Sequence, residues 1–180
     1  MSVTPERTLN IMREFAREVV SRSKENLKKI KNTTGNLERS IDYDLKVSKN
    51  SFGLKFLAEP YGVFLDEGVK GANPQLVKNG VQKAPLSDFK FKKKKPPVEP
   101  LIEWAKLKRI RLRNEKGQFK KGNYRTIGFI LQNRIFAQGI KPTLFFTRPY
   151  RELFKEIPKD VAEAYGLDFK DFLIKRYKNK

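Results

Sequence analysis

The chain has 180 residues, enough for one domain with a buried core, and 38% of them are apolar, with 14 Phe. Forty Lys and Arg stand against twenty Asp and Glu, a net charge of +20, and there is no His and no Cys. These counts exclude disulfides, thiol nucleophiles, His-based acid–base chemistry and zinc sites of the N/S type, and they call for an anionic partner: nucleic acid, an acidic protein surface or an anionic membrane.

No apolar run approaches the ~20 residues of a membrane span. The first 30 residues carry charges throughout, so no signal-peptide apolar segment is expected there. The expectation is a soluble protein of the cytoplasm or of a particle made in it.

Thr4-Pro5-Glu6 reads as a helix start, with Thr4 capping and Pro5 in the first turn. Leu9, Met12, Phe15, Val19, Ser23, Leu27 and Ile30 then recur at three- and four-residue steps, one apolar stripe of a long helix. Asn32-Thr33-Thr34-Gly35-Asn36 stops it. Leu37, Arg39, Ile41, Tyr43, Leu45 and Val47 alternate with polar residues, which predicts a half-buried strand. Lys49-Asn50-Ser51 turns the chain, and Phe52, Leu54, Phe56 and Ala58 repeat the alternation, so an antiparallel hairpin is expected.

Tyr61 to Leu65 is too short to assign by periodicity. Asp66 and Glu67 follow, and Gly68 and Gly71 suit turns. Residues 72–97 read as a basic loop. Lys90, Lys92, Lys93, Lys94 and Lys95 form either a mobile solvated run or a phosphate-contacting one, and Phe89 and Phe91 are placed to stack on bases.

A short helix is expected from Leu101 to Lys108, with Pro100 in its first turn. Arg109, Arg111 and Arg113 alternate with Ile110 and Leu112, which predicts three arginines on one strand face, a geometry suited to anions. Asn114-Glu115-Lys116-Gly117 is a turn and Phe119 begins the return strand. Tyr124 to Gln138 has helical spacing and Gly139 ends it. Residues 140–146 are extended. Thr147 caps a last helix, Pro158 kinks or splits it, and Gly166 breaks it.

No phosphate loop, dinucleotide fingerprint or nucleophile elbow is present. Asp44-Leu45-Lys46 and Asp168-Phe169-Lys170 are Asp-x-Lys triplets of the kind nucleases place around magnesium, but neither has an acidic partner on a preceding strand. No catalytic residue, metal ligand or cofactor site is assigned.

Three segments occur in a telling order. They are Thr34-Gly35-Asn36-Leu37-Glu38-Arg39-Ser40-Ile41, Tyr61-Gly62-Val63-Phe64-Leu65-Asp66-Glu67-Gly68, and Gly139-Ile140-Lys141-Pro142-Thr143-Leu144-Phe145-Phe146. The order resembles the tail-completion family (head–tail joining, or neck, proteins) of tailed bacteriophages, with departures at Gly62 and Leu65 and a long middle section. The resemblance rests on Thr34, Gly35, Leu37, Ser40, Ile41, Tyr61, Phe64, Glu67, Gly68, Pro142 and Phe145.

That resemblance implies an α+β fold: a long N-terminal helix and C-terminal helices packed on a small antiparallel sheet. Residues 1–180 form a single domain in this reading, with the basic loop 72–97 and a helical and hairpin insertion at 98–138. It implies no enzymatic activity. It implies a virion ring, six-fold or a multiple, at the head–tail junction. The ring's partners are the portal or connector and the tail-tube protein, with DNA in the channel a further candidate and no membrane.

Phe89 to Lys95 and Arg109, Arg111 and Arg113 are then contact surfaces. The alternative is a nucleic-acid-binding protein outside any virion that uses the same basic loop and arginine face.

Overall fold

The structure, a computed structural model, describes residues 5–30, 35–48, 51–73, 75–120 and 122–178. In chain order its elements are α1 (Glu6–Lys29), α2 (Asn36–Ser40), β1 (Asp42–Ser48), β2 (Ser51–Leu57), α3 (Gly62–Glu67), β3 (Val69–Lys70), α4 (Gln75–Lys78), α5 (Glu99–Leu107), β4 (Leu112–Arg113), β5 (Phe119–Lys120), α6 (Tyr124–Gln138), β6 (Gly139–Ile140), α7 (Thr147–Phe154) and α8 (Ile157–Lys178). The fold is α+β, with helices packed on small two-stranded antiparallel sheets. The chain divides into two compact units, Met1–Pro60 with Phe145–Lys180, and Tyr61–Leu144.

In the first unit, α1 buries the stripe expected of it, including Leu9, Phe15, Ala16, Val19 and Leu27. Pro5 (φ −72°, ψ 91°) holds the N-cap position instead of the first turn, and Thr4 lies outside the described residues. β1 and β2 form the expected hairpin, in register from Asp42↔Leu57 to Ser48↔Ser51; its connecting residues 49 and 50 are also outside. Phe15 meets Phe56 of β2 edge-on at 6.2 Å and Tyr150 of α7 at 5.8 Å, and Phe56 meets Phe146 at 5.2 Å. These tilted and edge-on rings are the favoured aromatic geometries, so they fix α1, β2 and α7 against one another as well as burying apolar area.

Besides the cap of α7, where Phe146 takes the N-cap position read for Thr147, two expectations fail in this unit. Leu37 to Ser40 is helical, not the start of the strand. Leu37 and Ile41 are four residues apart, a spacing that both a strand alternation and one helical turn satisfy, and both side chains are buried. The second concerns Gly166, which does not break α8. A helical glycine costs about 1 kcal/mol, and α8 recovers this by packing along α1, with Ala164 buried. Pro158 does split the segment, standing second in α8, where its missing N–H has no helical partner to lose.

In the second unit, β3 and β6 pair antiparallel, Val69↔Ile140 and Lys70↔Gly139. Helix α5 lies against α6, whose N-cap Asn123 Oδ1 accepts a hydrogen bond from Thr126 N at 2.8 Å. Residues 98–138 thus run helix, hairpin, helix, as expected of the insertion. Gly139 (φ 85°) ends α6, also as expected. Of the stretch 140–146 read as extended, Ile140 pairs with Val69 and Leu144 turns left-handed (φ 52°). Among the described residues no helix is long and apolar enough to cross a membrane.

Candidate functional site

The acidic stretch and the proline stretch, distant in sequence, meet in the second unit. The stretch after Tyr61 is helical: Tyr61 is the N-cap and Gly62–Glu67 form α3, too short for its period to be read. Helix α3 leaves its last carbonyls open, as every helix does. Leu65 O accepts from Thr143 Oγ1 at 2.8 Å and Thr143 N at 3.1 Å, and Asp66 O accepts from Leu144 N at 3.0 Å. Gly68 then turns with φ 74°. A Cβ there would stand 2.6 Å from Ile140 O and 2.8 Å from Pro142 N, so only glycine admits the proline segment so closely.

On a helix, neighbouring side chains diverge by about 100°. Asp66 is buried and Glu67, the acid assigned to the motif, is exposed. Among the described residues no three acids gather in a metal-binding arrangement. The acids of the Asp-x-Lys triplets have structural partners. Asp44 pairs with Lys46 at 3.6 Å, and Asp168 takes hydrogen bonds from Thr8 of α1.

The first motif divides between buried anchors and a bridge. Thr34 lies outside the described residues. Gly35 is left-handed (φ 67°) at the start of α2, and Leu37 and Ile41 are core. Ser40 Oγ donates to Leu37 O at 2.9 Å and accepts from Glu59 N at 3.0 Å, tying the end of α2 to the chain beyond β2. In the third motif Pro142 is half-buried and Phe145 buried, the latter with its carbonyl accepting from Asn26 Nδ2 at 3.2 Å.

The basic loop is strapped down at its second half. Lys70 N donates to Phe89 O at 2.7 Å and Phe91 N to Lys70 O at 3.0 Å, a parallel bridge onto β3. Phe89 packs edge-on against Phe64 at 4.8 Å, and Phe91 lies 6.0 Å from Phe136. Both rings are half-buried anchors, which corrects the expectation of free stacking rings on a mobile run.

Lys92 to Lys95 are exposed. Lys95 Nζ donates to Asn133 Oδ1 at 2.8 Å and lies 5.9 Å over Phe136. Ser87 and Gln82, which sequence reasoning does not single out, bond Gly68 O (2.8 Å) and Gly71 O (3.0 Å). The alternation of Ser87, Phe89 and Phe91 is the signal that points to Ser87.

The three-arginine face reduces to two. Arg109 is left-handed (φ 49°). Its N–H reaches Lys106 O and that of Ile110 reaches Ala105 O at 2.9 Å, the paired bonds of a Schellman motif closing α5. Arg109 therefore belongs to a helix end, not a strand. Arg111 and Arg113 do share a face, with Phe119 opposite Arg113 in register. Their Cζ atoms lie 5.6 and 4.6 Å from the Phe119 ring centre. Phe119 organises this face, a role that its place at a strand start does not announce.

No protein-family model, curated protein or solved structure matches the chain.

Proposed function

We propose that the chain is a structural protein of a tailed-bacteriophage virion. It forms a ring, six-fold or a multiple, at the head–tail junction, and its neighbours are the portal or connector and the tail tube. The observation that carries this reading is the junction of Leu65 and Asp66 with Thr143 and Leu144. Two of the three segments that resemble the neck family come from opposite ends of one unit and are hydrogen-bonded to each other. The residues behind the resemblance serve architecture: Leu37, Ile41 and Phe145 are core, and Gly68 is a close-approach glycine.

Exposed apolar surface supports assembly. Tyr61, Val63 and Phe64 around α3 are 42–46% exposed. Tyr165, Phe169, Leu173 and Tyr177 recur every fourth residue along α8 with exposures of 40–81%. A run of large apolar side chains on one helix flank suits a subunit contact.

The test is location. Particles purified from cells that carry the gene are examined by mass spectrometry and by labelling of a tagged copy. A fixed number of copies at the junction supports the reading. A protein left in the lysate, with none in the particles, removes it.

A further inference from the structure

We propose that the β4–β5 hairpin and the Lys92–Lys95 loop together form a nucleic-acid-binding surface that grips the phosphate backbone without reading sequence. The inference does not rest on the virion reading.

Residues 90–125 hold fourteen of the forty Lys and Arg and only three acids, Glu99, Glu103 and Glu115. Such a density on one segment of a compact unit is the electrostatic footprint of a polyanion partner. The hairpin tip is fixed. Asn114 N donates to Gln118 O at 2.9 Å, Gln118 N to Asn114 Oδ1 at 2.9 Å, and Asn114 Nδ2 to Gln118 Oε1 at 3.0 Å. On that rigid frame Phe119, 62% exposed, carries both guanidinium groups against its ring.

Arg113 spends one donor on Gly117 O (3.2 Å), and among the described residues neither Arg111 nor Arg113 meets a carboxylate. The remaining donors stay in an oriented fork, the geometry that binds phosphate bidentately. Both guanidinium groups are held at the Phe119 ring, so Phe119 positions the arginines, and the surface is built for phosphate contacts.

The lysine loop lies at the other end of α5. Helix α5, nine residues and about 14 Å long, stands between the two clusters in the chain. Lys95, held by Asn133 and Phe136, fixes the loop to α6. Two oriented cationic clusters on one compact unit fit an extended phosphate chain better than a single small anion.

The experiment measures the anisotropy of a labelled DNA duplex with the full-length protein, from about 50 to 200 mM salt. Arg111→Gln with Arg113→Gln should weaken binding at least about tenfold. It should also lower the slope of log affinity against log salt by about two, one for each phosphate no longer neutralised. Phe119→Ala changes no charge and should still weaken binding about threefold, because it frees the arginines. Arg13→Ala with Arg17→Ala removes the same charge from an exposed stretch of α1 and should leave the slope unchanged.

The circular dichroism spectrum and melting temperature of each variant establish that it is folded. The proposal is overturned by absence of salt-dependent binding, or by equal losses for the hairpin and α1 variants. It is also overturned if poly-glutamate at equal charge binds as tightly as DNA and responds equally to Phe119→Ala; the surface then belongs to an acidic protein.

Discussion

Asp168 of α8 closes the first turn of α1 from 160 residues away: its Oδ2 accepts from Thr8 N and from Thr8 Oγ1, each at 3.1 Å. The Asp168 side chain is 10% exposed, and Arg7 approaches its other oxygen at 3.6 Å. Helix α1 begins at Glu6 after the N-cap Pro5, which has no side-chain cap to offer. A carboxylate among the open N–H groups of a helix start is favoured both by hydrogen bonding and by the helix dipole. Asp168→Ala is expected to cost about 1–2 kcal/mol. Asp168→Asn, which keeps one acceptor, should cost less. Urea unfolding curves of the two variants measure this, and equal losses would mean that only the charge matters.

Gly68→Ala is expected to disrupt the junction of α3 with the proline segment. The added Cβ meets backbone at 2.6 Å from Ile140 O, and the residue keeps φ 74°. Backbone cannot yield as a side-chain end would, so a loss of about 2 kcal/mol or more is expected. Hydrogen exchange should quicken at Thr143 and Leu144, whose amides bond Leu65 and Asp66. Unchanged protection at these amides would mean that the junction tolerates a side chain.

Ser23 lies on the buried stripe of α1 with its hydroxyl fully enclosed and, among the described residues, without a hydrogen-bond partner. An orphaned hydroxyl costs about 1–3 kcal/mol. Alanine removes it, opens little space and favours helix. Ser23→Ala should therefore stabilise the protein by about 1 kcal/mol, read as a higher melting temperature. A lower one would reveal a partner for the hydroxyl.

Arg109 adopts φ 49° to close α5, a conformation costing about 1–2 kcal/mol for residues with a Cβ. Arg109→Gly should gain up to about 1 kcal/mol, part of the relief being lost to the freedom glycine regains on unfolding. Chemical denaturation provides the measurement. Destabilisation would show that the guanidinium has a structural contact worth more than the strain.

The long elements were legible because periodicity accumulates over many residues. The stripe from Leu9 to Leu27 and the alternation in β1 and β2 left little choice. Short elements were not legible. Leu37 to Ile41 satisfies two periods at once, and α3 is shorter than two turns.

The arginine alternation was real but was read one arginine too early, because Arg109 is claimed by the end of α5. Which of Asp66 and Glu67 is buried depends on a helical turn the sequence does not announce. The bonds of Asp168 to α1 were invisible, since only the fold brings those residues together.

The proposed service at the head–tail junction is tested most directly by removing the gene from the genome that carries it. Electron microscopy of the resulting lysate should show filled heads and finished tails lying apart, and adding purified protein should join them and restore infectivity. Joined, infectious particles assembled in its absence would contradict the claim.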